Sequence, residues 1–189
     1  MPRKICVYCG SSSGAQPAYE AAAISLAEVL VQQQVGLVYG GAAVGLMGSI
    51  ADRVLQLGGQ AIGVMPELLV QKEVAHPNLT ELHVVDSMHA RKAMMAELSD
   101  GFVAMPGGFG TLEELFEMLT WAQLGIHRKP CGLLNIAGYF DGLISFVEHA
   151  TEEGFLRMEH QNLLTIDTEP ESLLIKLQGF VAPTIQKWQ

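Results

Sequence analysis

The sequence predicts an α/β protein: a doubly wound, mainly parallel Rossmann-like sheet with helices on both faces, one nucleotide-binding domain over residues 1–189. Three observations carry that expectation. Short apolar runs alternate with longer segments of helical pattern along most of the chain, as repeated βα units require. The runs lack alternating polarity, Gly101-Phe102-Val103-Ala104-Met105 being the clearest, and this suits strands buried on both faces. The composition, 49% hydrophobic and 16% charged over 189 residues, supports one sizeable core and is far from a disordered profile. No internal repeat or low-complexity linker divides the chain.

Each element has its own signal. Residues 4–9 form the first strand, followed by Gly10-Ser11-Ser12-Ser13-Gly14 and a helix over 17–33 whose Pro17 suits a first turn. Residues 36–39 form a strand, Gly40-Gly41 a turn, and 45–57 a helix closed by Gly58-Gly59. Residues 61–65 read as a third strand stopped by Pro66, and 67–80 as irregular, with a turn at His76-Pro77-Asn78. A short strand over 82–85 leads to a helix reaching about Leu98, capped by Asp86 or Ser87. Residues 101–105 are the next strand, 106–110 a loop and 111–124 a helix. A strand over 131–135, a helix over 139–153, a strand over 163–166 and a helix over 171–178 complete the chain. Cys6 and Cys9 form a C-x-x-C on a strand rather than at a helix start, so their sulfurs point to opposite faces and read as buried strand cysteines rather than a redox pair.

The net charge of −9, with eleven Lys and Arg, argues against a nucleic-acid partner, which needs a basic face. Any phosphate must be held by a few cations and by backbone N–H groups. No apolar run approaches the ~18 residues of a membrane span, and no signal-peptide pattern opens the chain. Three cysteines fit a reducing compartment, so a cytoplasmic location is expected. The six histidines show no metal-binding spacing, and neither a metal nor a cofactor is expected.

In an open α/β sheet, ligands bind beyond the carboxyl ends of the strands. Three strand-to-helix turns are rich in glycine or serine: Gly10-Ser11-Ser12-Ser13-Gly14, Gly40-Gly41-Ala42-Ala43-Val44-Gly45, and Pro106-Gly107-Gly108-Phe109-Gly110-Thr111. Glycine lets backbone N–H groups approach an anion, and a following helix adds its positive end. None is a dinucleotide or Walker fingerprint. In the third, Thr111 is a candidate cap, and Glu113, Glu114 and Glu117 complement the helix dipole. Glu114 lies one turn from the loop, where the sugar of a bound nucleotide would sit, and a carboxylate there stabilises an oxocarbenium-like transition state. Arg91-Lys92 lies at another sheet-edge turn. A solvated surface pair is its simplest reading, and a phosphate or ribose clamp the functional one.

These residues carry a family resemblance. Pro106 through Glu114 matches P-G-G-x-G-T-x-x-E at every fixed position, and the match runs on to His127. Met88-His89-Ala90-Arg91-Lys92 looks like M-H-x-R-K, and Cys9-Gly10-Ser11-Ser12 like a first nucleotide loop. The sequence resembles the Lonely Guy (LOG) family of cytokinin riboside 5'-monophosphate phosphoribohydrolases. The resemblance implies Arg91 and Glu114 as the catalytic pair, with Gly107, Gly108, Phe109, Gly110, Thr111, Leu112, Glu113, Glu114 and Thr120 lining the nucleotide. It further implies that Lys92 helps hold the nucleotide and that Glu67 is a further acidic residue of the site, and Gly10, Ser11 and Gly41, on the accompanying loops, complete the candidate substrate-binding set. It also implies a homodimer.

The expected reaction is hydrolysis of the N-glycosidic bond of adenosine 5'-monophosphate or its N6-modified forms, releasing free base and ribose 5-phosphate. A non-catalytic nucleotide sensor on the same fold is the alternative, because function lives in the site rather than in the fold. A dinucleotide-dependent oxidoreductase ranks third, and it lacks its motif. The label "lysine decarboxylase", often attached to this family, needs a Schiff-base lysine, for which neither Lys92 nor Lys129 offers a recognisable setting.

Overall fold

A computed structural model describes residues 3–70 and 75–183. The residues 71–74 of the expected irregular stretch lie outside them. The chain starts in the middle of a sheet. The strands β1 (Lys4–Tyr8), β2 (Gly36–Tyr39), β3 (Ala61–Pro66) and β4 (Glu81–Val85) step outward in one direction, and β5 (Gly101–Ala104) returns to the other side of β1. From there β6 (Cys131–Leu134) and β7 (Leu164–Asp167) continue outward, giving the order β4-β3-β2-β1-β5-β6-β7 with every pairing parallel.

The helices divide between the two faces, as a doubly wound sheet demands. The helices α1 (Pro17–Gln32), α2 (Gly45–Gln56) and α8 (Pro170–Gln178) bury Leu26, Leu30, Ile50, Val54 and Leu173 against Ile5, Val7, Leu37 and Val103. On the opposite face, α4 (Met88–Leu98) and α5 (Phe109–Gln123) bury Met95 and Met118 against Tyr8, Val38, Ile62 and Phe102. The cysteines follow strand parity: Cys9 belongs to the first core and Cys6 to the second, both unpaired and buried. Burial pushes both thiols far above their usual range, and inert thiols are what strand interiors produce.

Short elements depart from the sequence expectations. A one-turn helix α3 (Glu67–Val70) opens the stretch expected to be irregular, and α7 (Met158–Gln161) was not foreseen. The helix expected from residue 139 begins later: a 3-10 turn at Ile136–Gly138 precedes α6 (Asp141–Glu152). Pro66 ends β3 from inside its last pairing with Val85, because a terminal strand position has no ladder N–H to lose.

The topology fixes where a ligand can sit. The chain reverses its direction of winding between β1 and β5, and ligand crevices form at such switch points. Tyr8 pairs with Ala104 at the ends of these strands. Beyond them Met105 donates to the Tyr8 carbonyl at 2.8 Å and Gly10 to the Pro106 carbonyl at 3.0 Å. The serine loop and the glycine loop therefore leave the sheet side by side.

Candidate active site

The three glycine loops interlock at this switch point. Met47 N–H donates to the Gly10 carbonyl at 3.4 Å, and Gly45, at φ 57°, passes so close to Ser11 that no side chain fits there. Gly107 packs against Thr111 Oγ1 and the Gly10 N–H in the same way. Gly108 and Gly110 behave differently. A Cβ on either would meet nothing within 4 Å, and neither has a positive φ.

The helix α5 begins two residues earlier than expected. Gly108 is its N-cap, with no side-chain cap, and Thr111 is buried in the first turn with 4% exposure. Thr111 is thus not the cap: its hydroxyl is pressed against Gly107. The leading N–H groups of α5 lack helical acceptors by geometry and lie open at the loop, next to the positive end of the helix dipole.

Arg91 and Lys92 are not a solvated pair. Ser87 Oγ caps α4 by accepting from Ala90 N–H at 3.1 Å, and the helix buries both cations, to 8% and 6% exposure. Arg91 reaches beneath the second glycine loop, donating to the Gly40 carbonyl at 3.4 Å, with its other terminal nitrogen 3.9 Å from Met88 Sδ. Among the described residues its Nε is buried with no hydrogen-bond partner, and an unsatisfied donor on a buried cation is costly. The arrangement suits an anionic or polyhydroxylic ligand. Lys92 turns the other way. Its ammonium donates to Glu113 at 2.5 Å and to Glu117 at 3.1 Å, tying α4 to α5. Burial pulls its pKa down, but these two carboxylates together hold it above the usual value.

The acidic residues of α5 therefore divide by helical phase. Glu113 and Glu117, four residues apart, share a face and serve Lys92. Glu114, about 100° further round, joins Arg91, Met47, Met88, Cys9, Gly10, Ser11, Gly108, Phe109, Gly110, Thr111 and Glu113 in lining a cleft of about 280 Å³. Its carboxyl accepts no hydrogen bond from the described residues. Burial pushes its pKa up to about 7 against the pull of the Arg91 guanidinium, with Glu113 adding to the rise. A perturbed carboxyl facing a buried arginine in a cleft is the signature of an acid–base or charge-stabilising site.

A second lobe of about 310 Å³, lined by Gly10, Ser11, Ser12, Gly14, Tyr19, Pro106, Gly107, Gly108 and Tyr139, adjoins the first through Gly10, Ser11 and Gly108. Other residues singled out in the sequence lie elsewhere. Glu67 is exposed at the start of α3, and Gly41, behind the Gly40 carbonyl, packs near Leu82 and Met65. Leu112 packs inward with Leu115 and Phe140. Thr120 donates to the Phe116 carbonyl and lines a separate apolar groove with Phe116, Leu119 and Val147. Met47 and Tyr139 had no signal in local sequence beyond standing near strand-to-helix turns, whereas Met88 opens the M-H-x-R-K motif. Among the described residues no cluster of metal-ligating side chains occurs, and no helix is long and apolar enough to cross a membrane.

Comparison with known proteins adds to this picture. Residues 47–177 match a family whose model is described as "possible lysine decarboxylase". The chain is 50% identical over 179 residues, covering 95% of it and 79% of the relative, to a probable cytokinin riboside 5'-monophosphate phosphoribohydrolase of Oryza sativa subsp. japonica. It is 46% identical over 178 residues, 94% of this chain and 82% of the relative, to a cytokinin riboside 5'-monophosphate phosphoribohydrolase of Arabidopsis thaliana. Among solved structures, a molybdenum cofactor carrier protein from Chlamydomonas reinhardtii shares the fold with a TM-score of 0.70 at 20% identity, over 93% of this chain and 95% of that one. A molybdenum cofactor binding protein from Rippkaea orientalis does so with a TM-score of 0.69 at 23% identity, over 93% and 95%.

Proposed function

The chain belongs to the Lonely Guy family of cytokinin riboside 5'-monophosphate phosphoribohydrolases, and from that premise we propose that it hydrolyses the N-glycosidic bond of adenosine 5'-monophosphates, N6-modified forms included. The products are the free base and ribose 5-phosphate. The observation that carries this reading is the meeting of Arg91 and the raised-pKa Glu114 in one cleft beside the open glycines Gly108 and Gly110.

The chemistry follows from the arrangement. The N–H groups at the start of α5 hold the 5'-phosphate, and the absence of side chains at Gly108 and Gly110 leaves it room. The ribose then lies over Glu114. As the C1'–N bond breaks, the base leaves with the electron pair and takes up a proton, while positive charge spreads over C1' and the ring oxygen. The Glu114 carboxylate stabilises that charge and accepts a proton from the water that bonds to C1'. Arg91, which lines the cleft, holds the sugar or the departing base with its guanidinium. Glu67, exposed and outside the cleft, has no part in this scheme, and Lys92 acts by fixing α4 against α5.

The lysines do not suit a decarboxylase of the Schiff-base type. That chemistry needs an amine freed of its proton, whereas Lys92 is held cationic by two carboxylates and Lys129 donates to the Ala96 carbonyl. The three cysteines, all unpaired thiols, support a cytoplasmic setting. A homodimer is supported by α6, which buries none of its own residues fully in the isolated chain.

The test is product release. Incubation with adenosine 5'-monophosphate and its N6-prenylated form should yield ribose 5-phosphate, and Glu114→Gln should lower kcat by on the order of 10²-fold or more. Tight binding of the nucleotide without turnover by the parent protein would favour a sensor instead.

A further inference from the structure

The turn between β6 and α6 has no task in this reaction, yet it is tightly constrained. Ala137 (φ 51°) and Gly138 (φ 70°) are both left-handed. For alanine that conformation brings Cβ against the carbonyl oxygen, and it persists only where the surroundings impose it. Here they do. The buried Asn135 accepts from Phe140 N–H at 2.8 Å and donates to Asp141 Oδ1 at 2.7 Å, while its own N–H donates to the Asp167 carbonyl of β7 at 2.8 Å. The clamp presents Tyr139, whose ring stands edge-on to Tyr19 of α1 and to Phe140, at 5.6 and 4.8 Å between centroids. Its hydroxyl donates to the Gly107 carbonyl at 2.7 Å.

That acceptor belongs to the peptide joining Gly107 to Gly108. The peptide is planar and trans, so its C=O and N–H point in opposite directions. Fixing the carbonyl fixes the N–H of Gly108. Tyr139 and Gly107 line the lobe on one side of the loop, and Gly108 also lines the lobe of Arg91 and Glu114. Among the described residues no backbone group bonds to this peptide, and a Cβ added at Gly108 would meet nothing within 4 Å.

We propose that Tyr139 is a positioning residue of the phosphate site. Held by the strained turn, it sets the Gly107–Gly108 peptide plane and aims the Gly108 N–H at the 5'-phosphate. The inference rests on the assignment of the glycine loop to the substrate's phosphate. Because the phosphate is unchanged by glycosidic cleavage, its grip is equal in ground and transition states, and weakening it raises KM without lowering kcat.

Tyr139→Phe tests this, with ribose 5-phosphate binding followed by calorimetry and adenosine 5'-monophosphate turnover followed in parallel. The expected result is a roughly tenfold weaker Kd and higher KM, as for one misaligned charge-assisted hydrogen bond, with kcat within about twofold and the unfolding midpoint unmoved. Unchanged ribose 5-phosphate affinity in the variant overturns the proposal, and so does a fall in kcat at constant KM, which would put the hydroxyl in the chemistry. If the parent binds ribose 5-phosphate but cleaves no nucleotide, and the variant still binds more weakly, the glycosidase reading falls and the positioning role stands. A parent that does not bind ribose 5-phosphate removes both.

Discussion

Glu114 concentrates the consequences of burial in a single carboxyl. Its pKa is pushed up to about 7 from 4.5 by burial, against the pull of Arg91. A carboxyl whose folded pKa exceeds its unfolded value favours folding while protonated. That contribution is whole below about pH 4.5 and is lost as the pH rises through about 7. Unfolding by denaturant should therefore show stability declining between about pH 4.5 and 7, with a shallower decline in Glu114→Gln. Activity should run the other way, because the carboxylate is the working form: kcat/KM should rise about tenfold per pH unit up to a limb near pH 7. The second ionisation of the substrate's phosphate, near pH 6, gives a separate limb, which the residual activity of Glu114→Gln should retain while losing the one near 7. The glycines separate at the same scale. Gly107→Ala drives a Cβ into Thr111 and the Gly10 N–H and should destabilise by about 1–3 kcal/mol. Gly110→Ala meets nothing in the free protein and lies inside α5, so its unfolding midpoint should hold or rise, by up to ~1 kcal/mol. Its KM should increase, since the new methyl occupies ligand space. A Gly110→Ala enzyme with the parent's KM would show that the phosphate does not lie there.

Between elements, the ion pairs of Lys92 are the main polar tie of α4 to α5. Lys92→Met removes a cation that is 6% exposed and leaves Glu117, one of whose oxygens already lacks a partner, without its counter-charge. Loss of about 1–3 kcal/mol is expected. KM and kcat should also suffer, because α4 carries Arg91 and α5 carries Glu114, and the loss should be visible in denaturant melts as a lower midpoint at constant slope. This division of labour was only half legible in sequence. Periodicity and turn residues place β1, β2, β5 and α1 nearly to the residue, because buried parallel strands and a Pro17 start have strong local signals. The helix phase that gives Glu113 and Glu117 to Lys92 and leaves Glu114 for the cleft is implicit in i, i+4 spacing, but it needs a partner helix to become a fact. Lys92 read as a nucleotide contact, and its position on a buried interface depends on tertiary packing. The start of α5 at Phe109 was obscured because glycines are poor helix formers, although here they occupy the first turn, where open N–H groups are useful. Thr120, taken from the resemblance, faces an apolar groove rather than this cleft. Tyr139 had no local signature, since its significance depends on a carbonyl 32 residues away in sequence.

For the whole molecule, the centre of the sheet and its β7 edge differ in how completely they are covered. The switch-point side is built from β1, β5 and their loops, and every group in the proposed reaction comes from one chain. Toward the β7 side, α6 buries none of its residues fully, and Phe146, Phe155 and Ile126 are 63%, 89% and 63% exposed. A groove between α5, α6 and α7, lined by Phe116, Leu119, Val147 and Leu156, runs beneath the same region. Large apolar side chains exposed on these elements support the proposed homodimer. With a net charge of −9 on each chain, two copies repel at long range, so association must draw on apolar burial, and added salt should tighten it by screening the repulsion. Light scattering should accordingly report a particle of twice 20.4 kDa. Phe146→Glu, a change at a position already exposed in the isolated chain, should shift the mass toward one chain without lowering the monomer's stability by more than about 0.5 kcal/mol. A parent protein that stays at the single-chain mass through the micromolar range would mean that α6 is solvated or covered by some other partner.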